Sequence, residues 1–507
     1  MQTVANATNF LTARFDGAYA QFTTLPDPET TEVIKESLSF SDKSIEFQNK
    51  RDGTNYDSIV RLYDPRNGTF PTGLLPRVGM VLKSREIGYE LSCYKTIGDA
   101  YIQRFDLSQE EPFPGYRLWD HQVEGIETAL RLRRCCLEIP TGGGKTVMLA
   151  EIAKHFPYAD ILVTASSSDV MRNNADTIEH IIGEKVGRVG DGKRDYRRVT
   201  SATLQTLVRD IGANPRGFDN FQVHLVDECQ FVGYHQTARL VFGNLRGVDF
   251  RVGVSATAWR EGGDTLAMEG YIGPLAYQIK EEELQRKGIL VPFDFCSIYI
   301  PAPKDPVKEF ANTKKERNGK PNRDAVYDHL ITKNQQRNNA VAQLVKAHRD
   351  RGCPYGPCLI VTGLIDHSKL IYDLLCQFLT PEEEVELVYG KTGKTKRKEV
   401  IDRLRSSDLR FVVANQIFNV GVDFPPAGLL INTSGGSAQS ALIQKIGRVI
   451  RKAEGKDHAL VIDFEDGDPF YLRQNYYNRT RALKERYPST KKEEKHTVSS
   501  IIKKFYD

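Results

Sequence analysis

The sequence has no cysteine pairs of the metal-binding kind. Its eight cysteines are scattered and none forms a CxxC pair. That excludes the common zinc ribbons and fingers and points to free thiols in a reducing compartment. The nearest approach to a site is CPYGPC (353–358), a turn-like stretch with no further ligands beside it. There is no run of about eighteen apolar residues, so no membrane span is expected. The opening MQTVANATNFLTARFDG has no basic start followed by an apolar core, so no secretory leader is expected either. No solenoid-period repeat and no PD…ExK nuclease cluster is present. Strong net charge is also missing. The 70 basic and 66 acidic residues leave +4, so any nucleic-acid surface must be local.

What is present is an ordinary folded composition, 40% apolar and 27% charged. A chain of 507 residues has room for about three or four domains. Residues 1–107 hold no nucleotide motif. Within them SIVRLYD (58–64) reads as a strand, PRNG (65–68) as a turn and LLPRVGMVLKSREIG (74–88) as an amphipathic helix stopping near Gly88. QEEPFPG (109–115) reads as a linker. Short apolar runs then alternate with helical stretches: CCLEIP, DILVTA, RVTSAT, VHLVDE and RVGVSA. After a proline- and lysine-rich loop (301–325) comes a second block: CLIVTG, VELVYG, RFVVAN, GLLINTS and HALVIDF. Such alternation gives parallel sheets with crossover helices. The end, TKKEEKHTVSSIIKKFYD, reads as a charged tail or final helix.

The strongest chemical signal is EIPTGGGKTVMLAEIAKHF (138–156), a strand, a glycine-rich loop and a helix in series. Pro140, Thr141, Gly142, Gly143 and Gly144 form the loop. Its glycines let backbone N–H groups curl around phosphates, and the helix N-terminus adds positive charge. Lys145 can reach the β- and γ-phosphates and Thr146 can bind Mg²⁺. The strict GxxxxGK[ST] pattern is not met, because Ile139 stands at its first position. QVHLVDECQ (222–230) ends a strand in Asp227 and Glu228. There Asp227 would hold Mg²⁺, partly through water, and Glu228 would polarise the attacking water. RVGVSATAW (251–259) ends a third strand in Ser255-Ala256-Thr257, candidate coupling residues or plain strand-end caps.

Taken in order, PTGGGKT, DECQ and SAT resemble motifs I, II and III of superfamily 2 helicases. ANQIFNVGVDFP (414–425) resembles motif V, with Gly421 and Asp423. QKIGRVIR (444–451) resembles motif VI, with Gln444, Arg448 and Arg451. The resemblance implies two tandem RecA-like domains with parallel sheets, preceded by a small α/β N-terminal domain. The expected boundaries are 1–107, 108–288, 289–470 and a charged tail or helix at 471–507. It also implies ATP and Mg²⁺, with Arg448 and Arg451 completing the site as arginine fingers do. In YRLWDHQVEGIETAL (116–130), Gln122 is placed like an adenine-reading glutamine, helix capping being the plainer alternative. Two departures stand out. Gln230 occupies a position where DEAH or DECH proteins carry histidine, and VTASSSDVMRN (163–173) lacks the usual form of motif Ia. Ser166, Thr203 and Gln205 remain candidates for phosphate contact. The basic stretches 184–198 and 391–405 are either backbone-attracting surfaces or solvated faces.

Residues 51–91 narrow the resemblance. Asp52-Gly53, Ile59 to Asp64, Phe70, Gly73 to Leu75 and Gly88-Tyr89 resemble the N-terminal domain of UvsW-like phage recombination helicases, and the motor is also similar to XPB-like helicases. That implies a DNA helicase or translocase acting on Holliday junctions, forks, displacement loops or RNA–DNA hybrids. A protein monomeric when free, in a host bacterial cytoplasm, is implied as well. An RNA helicase, a duplex translocase without strand separation and an ATP-gated clamp are the alternatives.

Overall fold

The unalternating apolar runs become parallel strands buried on both faces, the environment that such runs need. In this computed structural model the five runs of the first block lie in one sheet and the five of the second block in another. The chain forms two units, Met1–Ile279 and Lys280–Asp507. The structure describes residues 10–42, 45, 46, 48, 49, 53–93, 102–234, 236–257, 265–302, 304, 305, 310, 315, 319–415, 426–437, 439–467, 470–488, 490 and 492–506.

The first unit opens with β1 (Phe10–Phe15), β2 (Tyr19–Phe22), β3 (Ser39–Ser41), β4 (Ile59–Arg61), β5 (Thr69–Pro71) and β6 (Gly88–Cys93). Four of these form a mixed sheet in the order β5-β2-β1-β6, and β3 pairs with β4. SIVRLYD supplies β4, and PRNG is the turn before β5. The helix Leu75–Ser84 is shorter than its sequence pattern. Glu86 takes a left-handed φ of 58°, Ile87 N–H donates to Leu82 O at 2.9 Å, and Gly88 then opens β6 instead of capping the helix.

This small sheet shares one apolar core with the larger sheet of the same unit. Phe22, Phe70 and Leu74 belong to the same cluster as Leu207, Phe242 and Ile272. Two glycines permit the approach. A Cβ on Gly17 would stand 2.1 Å from Val248 O, and one on Gly73 would stand 2.1 Å from Glu269 O. Arg77 pairs with Glu269 at 2.7 Å across the same seam.

The larger sheet contains β7 (Arg134–Glu138), β8 (Ile161–Ala165), β9 (Gly187–Gly190), β10 (Lys193–Arg194), β11 (Val199–Thr203), β12 (Val223–Asp227), β13 (Phe250–Ser255) and β14 (Leu275–Gln278). Their order is β10-β9-β11-β8-β12-β13-β7-β14, and only the β9–β10 hairpin is antiparallel. The strands β9, β10 and β14 are short, polar or half-exposed, so no apolar run announces them. In register, Asp227 lies beside Val254, and Ser255 lies beside Glu138. The segments after β7, β12 and β13 therefore emerge at one carboxyl edge, where open α/β sheets bind ligands.

The second unit contains β15 (Phe293–Ile300), β16 (Cys358–Val361), β17 (Val385–Val388), β18 (Phe411–Ala414), β19 (Leu429–Asn432), β20 (Ala459–Asp466) and β21 (Lys492–His496). They are parallel throughout, in the order β17-β18-β16-β19-β20-β15-β21. The charged end of the chain supplies the edge strand β21 and the helix Val498–Phe505, whose Ile501 is fully buried. Much of 301–325 lies outside the described residues. Among the described residues, no helix is long and apolar enough to cross a membrane.

Candidate active site

The glycine loop after β7 is shaped by its backbone. Gly142 and Gly144 have φ of 93° and 81°, and Gly143 N–H donates to Pro140 O at 3.0 Å. Side chains are disfavoured at such angles. The loop is also crowded, since a Cβ on Gly144 would stand 2.1 Å from Gln122 Nε2. The helix Lys145–Lys154 comes next with no side-chain cap, so its first N–H groups face the loop unclaimed by a capping side chain. Thr141 and Thr146 are half-buried there, and Lys145 Nζ donates to Ile139 O at 3.3 Å.

Gln122 is fully buried against this loop. Its Oε1 accepts from Trp119 N–H at 2.9 Å and from Tyr116 OH at 3.0 Å, while Nε2 reaches Gly143 O at 3.4 Å. The side chain thus caps its helix and braces the loop together. His121 does the same from the next position, with Nε2 2.9 Å from Gly143 O and its ring stacked on Trp119. Sequence reasoning passed over His121. Its only signal is its place beside Gln122.

Opposite the loop stands the acidic pair. Asp227 Oδ2 accepts from Asn174 Nδ2 at 3.1 Å, and Oδ1 accepts the Glu228 N–H at 2.9 Å. Burial, with Glu228 next to it, raises the pKa of Asp227 above the carboxylate range, and Lys145 opposes the rise. Asn174 was also missed; an amide on the buried face of the helix Ser168–Ile182 was the available sign. Glu228 has a φ of 53°. A left-handed φ at a non-glycine residue costs of order 1 kcal/mol, and the turn it makes carries the chain straight off the strand end.

That turn starts a chain of hydrogen bonds. Gln230 Nε2 donates to Glu228 Oε2 at 2.8 Å. Ser255 Oγ donates to Gln230 Oε1 at 2.5 Å, and Thr257 N–H donates to Ser255 Oγ at 2.9 Å. Ser255 O also accepts the Ile139 N–H at 2.8 Å. One serine therefore touches the acidic motif through its side chain and the start of the glycine loop through its carbonyl. A histidine at position 230 would carry its one donor and one acceptor on well-separated ring nitrogens and not in the fork of an amide.

Further along the same edge, Thr203 lies in register with Ala165, and Gln205 Nε2 reaches Ser166 O at 3.5 Å. Among the described residues, Ser166 Oγ and Thr257 Oγ1 are buried without a hydrogen-bond partner, and Thr203 bonds Thr206. Ser166, Thr203 and Gln205 are thereby gathered at the ends of β8 and β11. The basic stretch 184–198 is less available than its composition suggests. Arg188 pairs with Asp176 and Glu179, Arg194 with Asp210, and Arg198 with Glu184. In 391–405, Lys396 and Arg403 both pair with Glu386.

In the second unit, Gln444 and Arg448 lie one turn apart on the helix Gln439–Val449, and Arg451 lies just beyond it, bridged to Leu290. Between them Lys445 is buried and donates to Asn432 Oδ1 at 2.8 Å and to Ser434 Oγ at 2.9 Å. Burial pushes its pKa down to about 7, partly offset by Asp463. Gly421 and Asp423 lie outside the described residues.

The family model of the helicase conserved C-terminal domain matches residues 337–453, and that of the type III restriction enzyme res subunit matches residues 115–260. The chain carries a superfamily 2 helicase core. It is similar to the DNA 3'-5' translocase XPB2 of Sulfurisphaera tokodaii, at 24% identity over 74% of this chain and 91% of that one. It is also similar to the ATP-dependent DNA helicase uvsW of Enterobacteria phage T4, at 22% identity over 87% of this chain and 88% of that one. Among solved structures, Saccharomyces cerevisiae Dbp5 bound to RNA and ADP BeF3 shares the two-domain fold, with a TM-score of 0.52, 15% identity and coverage of 77% of this chain and 94% of that one. This helicase core is of the ATP-dependent, nucleic-acid-directed kind. Its glycine loop, uncapped helix and desolvated Asp227 suit a nucleoside triphosphate with a divalent cation.

Proposed function

We propose that the protein is an ATP-driven DNA helicase or translocase that unwinds or branch-migrates junctions, forks, displacement loops or RNA–DNA hybrids. The hydrogen-bond chain from Glu228 through Gln230 to Ser255 carries the reading. It joins the residue that would handle the attacking water to a strand end shared with the phosphate loop. A nucleotide-dependent shift at Glu228 then has a short covalent and hydrogen-bonded route to Thr257.

In this reading Lys145 and the loop N–H groups hold the β- and γ-phosphates. Thr146 and Asp227 would hold Mg²⁺, which neutralises phosphate charge when bound. Glu228 accepts a proton from water as the water oxygen attacks the γ-phosphorus in line, and the bridging oxygen leaves with ADP. Gln444, Arg448 and Arg451 stabilise phosphate charge as the resemblance implies, Gln122 braces the phosphate loop, and Gly421 and Asp423 contact the nucleotide. Ser166, Thr203 and Gln205 grip the strand backbone. We assign 108–288 and 289–470 as the two motor domains and 1–107 as the domain that holds the branch. DNA is favoured because the archaeal and phage relatives are named as a DNA translocase and a DNA helicase.

The test is ATP hydrolysis with four-way junction, fork, duplex, single strand and matched RNA. Strongest stimulation by junction or fork is the expected result. Stimulation by RNA alone moves the chain to the RNA helicases, and no stimulation by any nucleic acid sinks the motor reading and leaves an ATP-gated clamp or an enzyme awaiting a partner.

A further inference from the structure

The helix Leu472–Arg486 lies outside every helicase motif, and its two faces differ sharply. One face is locked into the second unit. Arg479 Nε donates to Asp463 Oδ2 at 3.0 Å with both side chains buried, and Tyr476 OH donates to Ser297 Oγ at 2.9 Å. The opposite face shows Arg473, Tyr477, Arg481 and Lys484 to solvent. The spacing of the first three is four residues, which stacks them along one side of the helix.

Tyr477 is 44% exposed, and the Arg473 guanidinium lies 5.8 Å from its ring centroid. The chain just before the helix repeats the pairing. The ring of Tyr471 has Lys320 Nζ at 5.3 Å and the Arg323 guanidinium at 4.7 Å. Tyr299, at the end of β15, is 42% exposed and borders Gly467, where a Cβ would stand 2.8 Å from its hydroxyl. Against the cations stand Asp324 and Glu485, the latter paired with Arg481 at 2.9 Å. An exposed ring with a cation one turn to either side, on a helix whose rotation is fixed from behind, with Tyr471 and Tyr299 on the adjoining segments, supplies the parts of a single-strand platform. Rings stack on bases, and cations take the phosphates between them.

Resting on the helicase reading above, we propose that this face of the second unit is an accessory contact for a single strand of nucleic acid, with Tyr477 as the stacking ring and Arg473 as a phosphate contact. An acidic peptide would use the cations and leave the ring idle. The contact tolerates any base, because stacking needs only a flat π-face, and it adds strand affinity beyond the motif residues.

The test is binding of the full chain to fluorescent dT and rU oligomers of about sixteen nucleotides, the upper end of single-strand site sizes, read by anisotropy over a salt series. Tyr477→Ala is expected to weaken binding about tenfold, one base stack's worth, and Tyr477→Phe to restore it. Arg473→Gln should lower the slope of log affinity against log salt by about 0.7, one single-strand phosphate contact. Thermal unfolding of each variant separates a lost contact from a lost fold. Unchanged affinity in well-folded Tyr477→Ala overturns the platform, as does a Tyr477→Phe variant as weak as the alanine. Equal loss on dT and rU supports stacking on either strand, and loss on one alone identifies the strand it serves. A wild-type chain that binds neither oligomer overturns the single-strand contact, while the helicase reading stands or falls separately on ATP hydrolysis with junction and fork DNA.

Discussion

The carboxyl edges of the two parallel sheets are built on opposite plans. In the first unit the edge is made of glycines, short hydroxyl and amide side chains, and the carboxylates of Glu138 and Asp227, the latter set among Asn174, Glu228 and Lys145 with no buried ion pair among the described residues. In the second unit the edge is held by buried ions. Arg479 pairs with Asp463 at 3.0 Å, Arg337 pairs with Asp466 at 3.2 Å, and Lys445 sits between Asn432 and Ser434. Burying an ion costs several kcal/mol unless a partner and further hydrogen bonds offset it. The difference teaches a division of labour. The first edge is left open for a ligand, while the second is braced to hold the helix that carries Gln444 and Arg448 in one place.

The largest expected effect tests the open edge. Glu228→Gln should lower the rate of ATP hydrolysis by about 10²–10⁴-fold, the usual worth of a general base, and Lys145→Ala should remove phosphate binding as well. Near-normal turnover in either variant would mean that this edge is not where the chemistry occurs.

The next test loads the braced edge. Asp463→Asn removes the charge facing Arg479 and should destabilise the second unit by about 3–5 kcal/mol, read from urea unfolding. A loss below about 1 kcal/mol, the range of an exposed pair, would show that the ion pairs are not what holds this edge.

One residue crosses the division. Glu151, on the helix that begins at Lys145, is fully buried, and neither carboxylate oxygen has a hydrogen-bond partner among the described residues. Burial pushes its pKa up to about 7 from the ordinary 4.5, with Lys154 pulling the other way. The folded chain therefore keeps a proton that the unfolded chain loses. Stability from this group is complete below pH 4.5, declines as pH rises toward about 7 and is flat above. The span corresponds to about 3 kcal/mol at most. Glu151→Gln should flatten that decline in Tm between about pH 5 and 8, whereas an unchanged slope would place the titrating group elsewhere.

The sequence made the motor legible wherever chemistry is local in the chain. PTGGGKT, DECQ and SAT each pack their roles into a few consecutive residues, and the ten apolar runs needed no partner to be recognised as strands. What it hid were pairings between distant segments. Nothing near Gln230 announces Ser255, and nothing near Asp227 announces Asn174. The stretch 184–198 read as basic because its partners Asp176, Glu179 and Asp210 lie outside that window. The shared core between β1–β6 and the first motor sheet depends on Gly17 and Gly73, whose missing side chains carry no signal of what they touch. Strands β10, β14 and β21 stayed hidden because edge strands can be short and polar.

The smallest effect is also the most specific to that hidden layer. Ser255→Ala keeps the strand and the Ile139–Ser255 backbone bond but removes the donor to Gln230 Oε1. An acceptor left without its partner costs about 1–3 kcal/mol, and about 1.4 kcal/mol is tenfold in an equilibrium. If that energy couples nucleotide state to strand binding, the stimulation of ATP hydrolysis by DNA should fall about tenfold. Gln230→His should fall with it, because imidazole cannot donate to Glu228 and accept from Ser255 in the same geometry. The double variant should then be no worse than either single one, as expected of two residues sharing one bond. Additive losses would show two independent roles and would leave the first edge as a set of separate contacts instead of a relay.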